Sequence, residues 1–250
     1  MKINKTKNKS IGTWICSFNL INLEILINSS SFDWFTIDLE HSALTLSECY
    51  NIVSYLKAND KKCYVRMSDH NPSNISRVLD FGVDGIIVPM VKNLDEVESI
   101  IQAAHYPPRG SRGTGLFRAQ QHGDEFSSYV SNANKKIEII LQIEHFEAIK
   151  NLNGFIKCKE VNGFILGPYD LSASINQPGN FTNPEFKSLV KSYEKLCLNS
   201  SKKMGYHLPF PDFKKLKNLV DKGYNFIGLS TDILLFKNQI NTIRSEIKKL

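Results

Sequence analysis

Eight short apolar runs recur along the chain, and segments with helical periodicity separate most of them. The runs cover residues 11–18, 34–39, 63–67, 85–90, 138–143, 163–167, 204–208 and 225–230. Most are continuously apolar, a pattern typical of strands that are buried on both faces of a parallel sheet. Amphipathic segments at 44–59, 72–81, 93–104, 182–200, 210–222 and 232–250 predict helices between the strands.

This alternation of strands and helices predicts the fold class. Eight strands alternating with helices in 250 residues indicate an α/β protein with a single-domain (β/α)₈ architecture, the TIM barrel. The alternative is a doubly wound open sheet. A glycine fingerprint after the first strand would favour that sheet, and residues 18–20, Phe-Asn-Leu, provide none. We expect the barrel to span residues 11–250 and residues 1–10 to form a basic, flexible tail.

Charge and cysteine content exclude several kinds of partner. The formal net charge is +6, and four lysines of the tail, MKINKTKNKS, contribute much of it. Because the chain lacks a basic helix or an aromatic stacking motif, we expect no nucleic-acid partner. No stretch approaches the roughly 20 apolar residues of a membrane-spanning helix, and the N-terminus is a poor signal peptide. Five cysteines without a C-x-x-C pair favour a reducing compartment, so we expect a cytoplasmic protein.

Ionisable side chains cluster where the predicted strands end. In (β/α)₈ barrels these ends form the functional face. Because unpaired buried charge is costly, their convergence on one rim indicates a functional site rather than isolated surface residues. The residues concerned are Asp38, Glu40 and His41 after strand two, Arg66 at strand three, Gln142 and Glu144 at strand five, Asp170 after strand six and His207 in strand seven.

The residue types favour metal-assisted chemistry. Glu144 and Asp170 supply hard oxygen donors, which suit Mg²⁺ or Mn²⁺. A nearby arginine can stabilise a developing oxyanion, and the spacing of Asp38 and His41 is compatible with an aspartate-oriented histidine that moves protons. A Schiff-base mechanism would need a lysine at a strand end, and the nearest is Lys92, beyond the fourth strand.

A longer non-strand stretch, 105–136, contains PPRGSRGTG followed by a polar, helix-like segment. In a barrel such an insertion is a candidate active-site loop. The RGSRGTG sequence lacks the Gly-Lys-Ser/Thr ending of a phosphate-binding loop and does not directly follow a strand, so it is a weak phosphate signal.

Four segments together resemble the HpcH/HpaI-type class II pyruvate aldolases: FDWFTIDLEHSAL, RVLDFGVDGIIVPMVKNLDEVESIIQAAHYPPRGSRGTG, LQIEHFEAIKNL and VNGFILGPYDLSASIN. The resemblance runs from about residue 11 to the end, with the motifs in the same order. It implies a (β/α)₈ enzyme that reversibly cleaves a 2-oxo-3-deoxy-4-hydroxy acid to pyruvate and an aldehyde through a metal-stabilised pyruvate enolate.

The resemblance also implies roles for individual residues. Glu144 and Asp170 would bind a divalent metal ion, Mg²⁺ or Mn²⁺, with Co²⁺ as a further candidate. His41, held by Asp38, would act as the base, and Arg66 would neutralise the enolate oxygen. The remaining residues would bind substrate: Gln142 and His207 as part of the lining, and Gly167, Pro168, Tyr169 and Asp170 through backbone amides that hold the carboxylate. Arg112 and Gly113 match a loop near the mouth of the site, although a structural turn near a subunit boundary explains them equally well.

Some positions depart from the family pattern. Tyr169 and Asn176 replace small residues, His145 replaces a small hydroxyl residue, and His207 replaces an aliphatic one. These departures leave the aldehyde open, and we expect Tyr169 and His207 to favour a small hydroxylated aldehyde. Two other functions stay open: a citrate-lyase-like carbon–carbon lyase acting on a coenzyme A thioester, and a non-catalytic barrel used as a binding module.

The last predicted helix carries an apolar stripe. It can pack on its own barrel, or, as the resemblance implies, be exchanged between the subunits of a homo-oligomeric hexamer. The stripe consists of Ile240, Ile243, Ile247 and Leu250.

Overall fold

The computed structural model describes residues 9–29 and 31–250, and a closed barrel of eight parallel strands forms its centre. Each strand pairs with its neighbours in chain order, and β8 pairs with β1 to close the ring. All eight strands lie at the predicted positions, which confirms the (β/α)₈ barrel and excludes the open sheet. The strands are β1 (Ser10–Ile15), β2 (Trp34–Asp38), β3 (Lys62–Arg66), β4 (Gly85–Val88), β5 (Glu138–Ile143), β6 (Val161–Leu166), β7 (Lys203–Leu208) and β8 (Phe226–Thr231).

Helices follow the strands, and all six predicted helical segments are present. Pro72 and Pro184 each begin a helix, where the missing N–H has no intrahelical role. The helices are α1 (Leu20–Ser29), α2 (Leu46–Ala58), α3 (Pro72–Asp80), α4 (Leu94–Ala104), α5 (Phe126–Lys136), α6 (Phe146–Lys157), α7 (Pro168–Ala173), α8 (Pro184–Leu198), α9 (Phe213–Asp221) and α10 (Asp232–Ile247), with a short irregular 3₁₀ segment at Arg118–Gly123.

Two strands, β1 and β4, end two or more residues earlier than predicted, because side chains take over their backbone hydrogen bonds. After β1, the N–H groups of Cys16 and Ser17 donate to the Asp232 carboxylate at 2.9 and 3.1 Å. After β4, Met90 adopts a left-handed φ of 54°, and its N–H donates to Oε2 of Glu144 at 3.2 Å. Both departures occur at the carboxyl ends of strands, where the chain bends around the barrel mouth.

Aromatic side chains fill the lower interior of the barrel. Trp34 stacks on Phe226 with ring centroids 4.3 Å apart, and the edge of Tyr64 packs against both rings. Gly12 is required here, because a Cβ atom at this position would lie 2.0 Å from the Trp34 ring. Below this layer Glu138 accepts hydrogen bonds from Tyr64 and from two lysines, Lys62 and Lys203, so the amino-terminal end is closed by a paired ionic cluster.

The insertion at 105–136, predicted to be an active-site loop, lies on the face of the barrel opposite to the cleft. It follows α4 and leads into β5, so it occupies the amino-terminal face of the barrel. Within it, Arg112 is buried, contacts Asp80 of α3 and stacks over Tyr106 at 4.6 Å. The prediction of an active-site loop was wrong within this subunit, because the insertion follows a helix instead of a strand.

The two ends of the chain concern the predicted N-terminal tail and the apolar stripe of the last helix. Residues 1–8 of the predicted tail lie outside the described residues, and Ser10 is already part of β1. Helix α10 has no buried residue, and its apolar stripe is half or more exposed at Ile243 (51%) and Ile247 (62%). The stripe is therefore not covered by its own barrel. Across the described residues, no helix is long and apolar enough to cross a membrane.

Candidate active site

A cleft of about 400 Å³ opens at the carboxyl ends of the strands. Every residue predicted from the sequence to act in catalysis, metal binding or substrate binding lines it: Asp38, His41, Arg66, Gln142, Glu144, Gly167, Pro168, Tyr169, Asp170 and His207. Part of the wall was not predicted from the sequence. It comes from the ends of β1, β7 and β8 and from the start of α10: Cys16, Pro209, Thr231, Ile233 and Leu234. Cys16 and Thr231 also lie at strand ends, so the same positional rule could have found them.

Arg66 is held rigidly at the end of β3. Its Nε and Nη2 atoms donate to the two oxygens of Asp38 at 2.8 and 2.6 Å, and Nη1 lies 2.9 Å from Glu40. The face of the guanidinium packs over Trp14, with Cζ 4.6 Å from the ring centroid. Strand register explains the pairing, because Asp38 and Arg66 lie directly opposite each other on β2 and β3. A bidentate pair of this kind fixes both position and orientation.

The Asp38 carboxylate accepts hydrogen bonds from the Arg66 side chain and none from the His41 ring. Burial raises the pKa of Asp38, but the hydrogen bonds and charge of Arg66 outweigh it and hold that pKa below its usual range. The only contact of His41 with this carboxylate is its backbone N–H, at 3.2 Å. The His41 side chain is 65% exposed, with Nε2 4.0 Å from Glu40. The expected imidazole–carboxylate pair is therefore not formed, because the arginine of the next strand occupies the carboxylate.

Glu144 lies directly after β5 and is only 2% exposed. Its Oε1 accepts a hydrogen bond from the Gln142 side-chain amide, and its Oε2 accepts one from the Met90 N–H. Burial, together with the neighbouring carboxyl groups of Glu40 and Asp170, raises the pKa of Glu144 to about 8. The buried carboxyl group is thus destabilised in its charged form unless a positive charge approaches it.

Helix α7 begins at the cleft and presents backbone N–H groups to it. Gly167 donates its own N–H to the carbonyl of Ile143 at 3.1 Å, and Pro168 has no N–H. The first-turn amides that can reach an anion are therefore those of Tyr169 and Asp170. The absence of a side chain at Gly167 is essential, because a Cβ atom there would lie 2.6 Å from Oε1 of Glu144.

Two departures from the family pattern have local explanations. His145 caps α6, since its Nδ1 accepts a hydrogen bond from the N–H of Glu147 at 3.2 Å. A serine or threonine would perform the same role at this position. Asn176 has a left-handed φ of 58°, a conformation that asparagine tolerates better than most residues other than glycine. Neither side chain lines the cleft.

The donor set fits a hard divalent cation. Glu144 and Asp170 supply carboxylate oxygens, and Oε1 of Gln142 is buried without a hydrogen-bond partner among the described residues. Residues 9–29 and 31–250 contain no cluster of three or more His, Cys, Asp or Glu side chains spaced to hold a metal. A two-carboxylate set suits Mg²⁺, which usually keeps several water ligands. A cation here would also relieve the repulsion that raises the pKa of Glu144.

This arrangement defines a (β/α)₈-barrel protein with a carboxylate-rich site at the carboxyl ends of its strands. A family model for HpcH/HpaI aldolase/citrate lyase matches residues 10–239. A 2-keto-3-deoxy-L-rhamnonate aldolase of Escherichia coli is 28% identical over 233 residues, which cover 92% of this chain and 86% of that protein. A 2-dehydro-3,6-dideoxy-6-sulfogluconate aldolase of Pseudomonas putida is 26% identical over 245 residues, covering 98% and 94%.

A solved structure shares the fold. The crystal structure of an HpcH/HpaI aldolase from Desulfitobacterium hafniense superposes with a TM-score of 0.87 at 24% identity, covering 97% of this chain and 94% of that chain. The chain belongs to the HpcH/HpaI aldolase/citrate lyase family. Aldolase relatives across most of the chain indicate a carbon–carbon lyase, which confirms the predicted family and enzyme class.

Proposed function

We propose that the enzyme reversibly cleaves a 2-oxo-3-deoxy-4-hydroxy acid to pyruvate and an aldehyde, with Glu144 and Asp170 holding a divalent metal ion. Mg²⁺ and Mn²⁺ are the preferred candidates, and Co²⁺ is a further one. The convergence of two carboxyl groups, a clamped arginine and a histidine on one small cleft is the observation that supports this reaction. When bound, such a cation polarises a keto group and stabilises negative charge on its oxygen.

Arg66 supplies fixed positive charge beside that oxygen. Because Asp38 and Glu40 hold three of its nitrogen atoms, little reorganisation is needed when negative charge develops. The N–H groups of Tyr169 and Asp170 orient the pyruvate carboxylate at the start of α7.

His41 is the proposed base. Its imidazole lies at the cleft and is exposed enough to exchange protons with water or with a bound hydroxyl group. In the cleavage direction it takes the proton of the C4 hydroxyl, the C3–C4 bond breaks, and the electron pair passes to the pyruvate unit, which then takes up a proton at its methyl carbon. In the addition direction it removes a proton from that methyl carbon.

The deuterium exchange of the pyruvate methyl group tests this proposal. Metal-stripped enzyme is incubated with pyruvate in D₂O, alone or with Mg²⁺, Mn²⁺ or Co²⁺, and the methyl signal is followed by NMR. We expect exchange only with added metal, and aldol products when an aldehyde is supplied. Absence of both under all three metals would refute the aldolase assignment.

Two variants separate the metal site from general damage. Glu144→Ala should abolish metal-dependent exchange, whereas unchanged exchange would refute the assignment of Glu144 as a ligand. The matched control is Glu138→Gln, which alters a half-buried glutamate at the amino-terminal end of the barrel and should retain exchange.

Assembly and location complete the proposal. We propose a homo-oligomer, a hexamer by the family resemblance, in which α10 is exchanged between subunits, because its apolar stripe lacks cover from its own barrel. Light scattering of the full chain, compared with an Ile243→Glu variant, tests the assembly: a monomeric wild type would refute it. We also propose a cytoplasmic location, from the cysteine usage of the sequence, which cell fractionation can test.

A further inference from the structure

One wall of the cleft contains a polar side chain that has no hydrogen-bond partner among the described residues. Three polar side chains lie on the wall formed by β1, β7 and β8: Cys16, His207 and Thr231. The hydroxyl of Thr231 accepts a hydrogen bond from the N–H of Leu234 at 3.1 Å, and the Cys16 thiol lies 3.7 Å from Asp38. The His207 side chain has no hydrogen bond to any described residue; the residue is half-buried, and its Nε2 is shielded from solvent and unpartnered.

The position of His207 is fixed by packing. It lies opposite Gly228 on the neighbouring strand, where the missing side chain leaves room for the Trp14 ring. Its imidazole packs on Trp14 with centroids 4.8 Å apart, and the Arg66 guanidinium packs against the same indole ring. Only the Trp14 ring therefore connects His207 to Arg66, the arginine at the reacting end of the cleft.

The surroundings keep this imidazole neutral. Burial, together with the charge of Arg66, lowers the pKa of His207 to about 3. A neutral imidazole offers one N–H donor and one lone-pair acceptor. A hydroxyl group, which is likewise both donor and acceptor, complements it better than an anion does.

The rest of this wall argues against a charged ligand. Pro209, Ile233 and Leu234 are apolar, and no lysine lines the cleft among the described residues. Among the described residues, Arg66 is the one arginine that lines the cleft, and it already forms ion pairs with Asp38 and Glu40. A phosphate or sulfonate on the aldehyde would therefore meet no free cation on this side.

We propose that His207 determines the aldehyde specificity of this enzyme, and that the enzyme takes small, neutral 2-hydroxyaldehydes whose hydroxyl group hydrogen-bonds the imidazole. The inference rests on the proposed aldolase function and specifies its substrate class. Because Arg66 and His207 pack on the same Trp14 ring, an aldehyde whose carbonyl group lies near Arg66 can bring a neighbouring hydroxyl group towards the imidazole.

The test compares isosteric acceptors in the aldol addition with pyruvate and Mn²⁺. The first pair is 2-hydroxypropanal and 2-methylpropanal, which differ by a hydroxyl in place of a methyl group. The readout is the ratio of their kcat/KM values, compared between wild type and variants so that intrinsic aldehyde reactivity cancels. We expect His207→Leu to lower this ratio about tenfold, since a hydrogen-bonding site discriminates against a partner that cannot bond to it.

Controls make the result specific to the imidazole. His207→Gln keeps a donor and an acceptor and should retain the ratio within about threefold. His122→Leu makes the same change at an exposed histidine within the insertion on the amino-terminal face and should leave the ratio unchanged. If His207→Leu is recovered unfolded, His207→Met supplies a second apolar replacement for the same comparison.

Several outcomes would overturn the inference. The ratio could be unchanged in His207→Leu or His207→Met, or the His122→Leu control could lower it equally. A second pair, glyceraldehyde and glyceraldehyde 3-phosphate, tests the charge: a tenfold wild-type preference for the phosphorylated aldehyde would also overturn it. Wild-type exchange of the pyruvate methyl group in D₂O separates the two levels, because its absence would refute the aldolase proposal itself.

Discussion

Adding one methyl group at Gly167 should disable the site by displacing Glu144. The new Cβ atom would lie 2.6 Å from both Cγ and Oε1 of Glu144, whereas ordinary contacts begin at 3.4 Å. The carboxyl group would therefore have to move by about 1 Å, and it cannot do so without weakening its bonds to Gln142 and Met90. The backbone itself accepts alanine, since Gly167 has a φ of −98° and a ψ of 96°.

The magnitude follows from that displacement. A misplacement of this size costs about 10²-fold in rate, and disturbed ligand orientation about tenfold or more in metal affinity. Overpacking should lower the free energy of unfolding by about 1–3 kcal/mol, which leaves the barrel folded. Mn²⁺ binding, followed by electron paramagnetic resonance, and pyruvate methyl exchange measure the two effects separately.

A matched substitution provides the control. Gly113→Ala adds the same methyl group on the amino-terminal face, where a Cβ atom would meet nothing within 4 Å. It should leave both Mn²⁺ affinity and exchange unchanged. If Gly167→Ala bound Mn²⁺ and exchanged pyruvate within about twofold of wild type, Glu144 would not be a metal ligand held in the position described here.

Three further predictions concern charge and protonation. Arg66→Lys should lower pyruvate exchange about 10²-fold, measured by NMR, because lysine cannot bind Asp38 through two parallel hydrogen bonds; wild-type exchange would contradict this. Glu138→Gln should lower the free energy of unfolding in urea by about 2–4 kcal/mol, because the half-buried Lys203 loses its charged partner; an unchanged value would contradict it. The low pKa of His207, about 3 against an ordinary 6.5, means that the unfolded chain binds a proton that the folded protein does not. Stability should therefore fall as pH decreases from about 6.5 towards 3, and urea titrations should show a shallower fall for His207→Met.

Strand positions and strand-end residues could be predicted from the sequence because both follow from local pattern. A strand buried on both faces is continuously apolar, so the polar residue that follows it marks the barrel mouth. The partner of Asp38 could not be predicted in this way. It is set by the register of β2 against β3, which brings in Arg66 from 28 residues away, while His41 is only three residues distant.

The missed features also have physical causes. Helix α1, LINLEILINS, is apolar on most sides, with Ile21 and Ile25 exposed and Leu23 and Ile27 buried, so it lacks a clear helical stripe. The face on which residues 105–136 lie could have been predicted from the sequence. The helix predicted at 93–104 precedes them, and a helix that follows a barrel strand returns the chain to the amino-terminal face. The missing hydrogen-bond partner of the His207 side chain depends on how β1, β7 and β8 pack together, so it could not be predicted from the sequence.

The aromatic layer inside the barrel has a kinetic consequence. Trp14, Trp34, Tyr64 and Phe226 are each at most 1% exposed, and the cluster around Glu138 closes the barrel beneath them. The cleft is therefore a blind pocket with a single opening. Reactants must enter, and products must leave, through the same mouth, so we expect the two products to depart one after the other. Product-inhibition patterns should accordingly show an ordered sequence, with whichever product lies deeper released last.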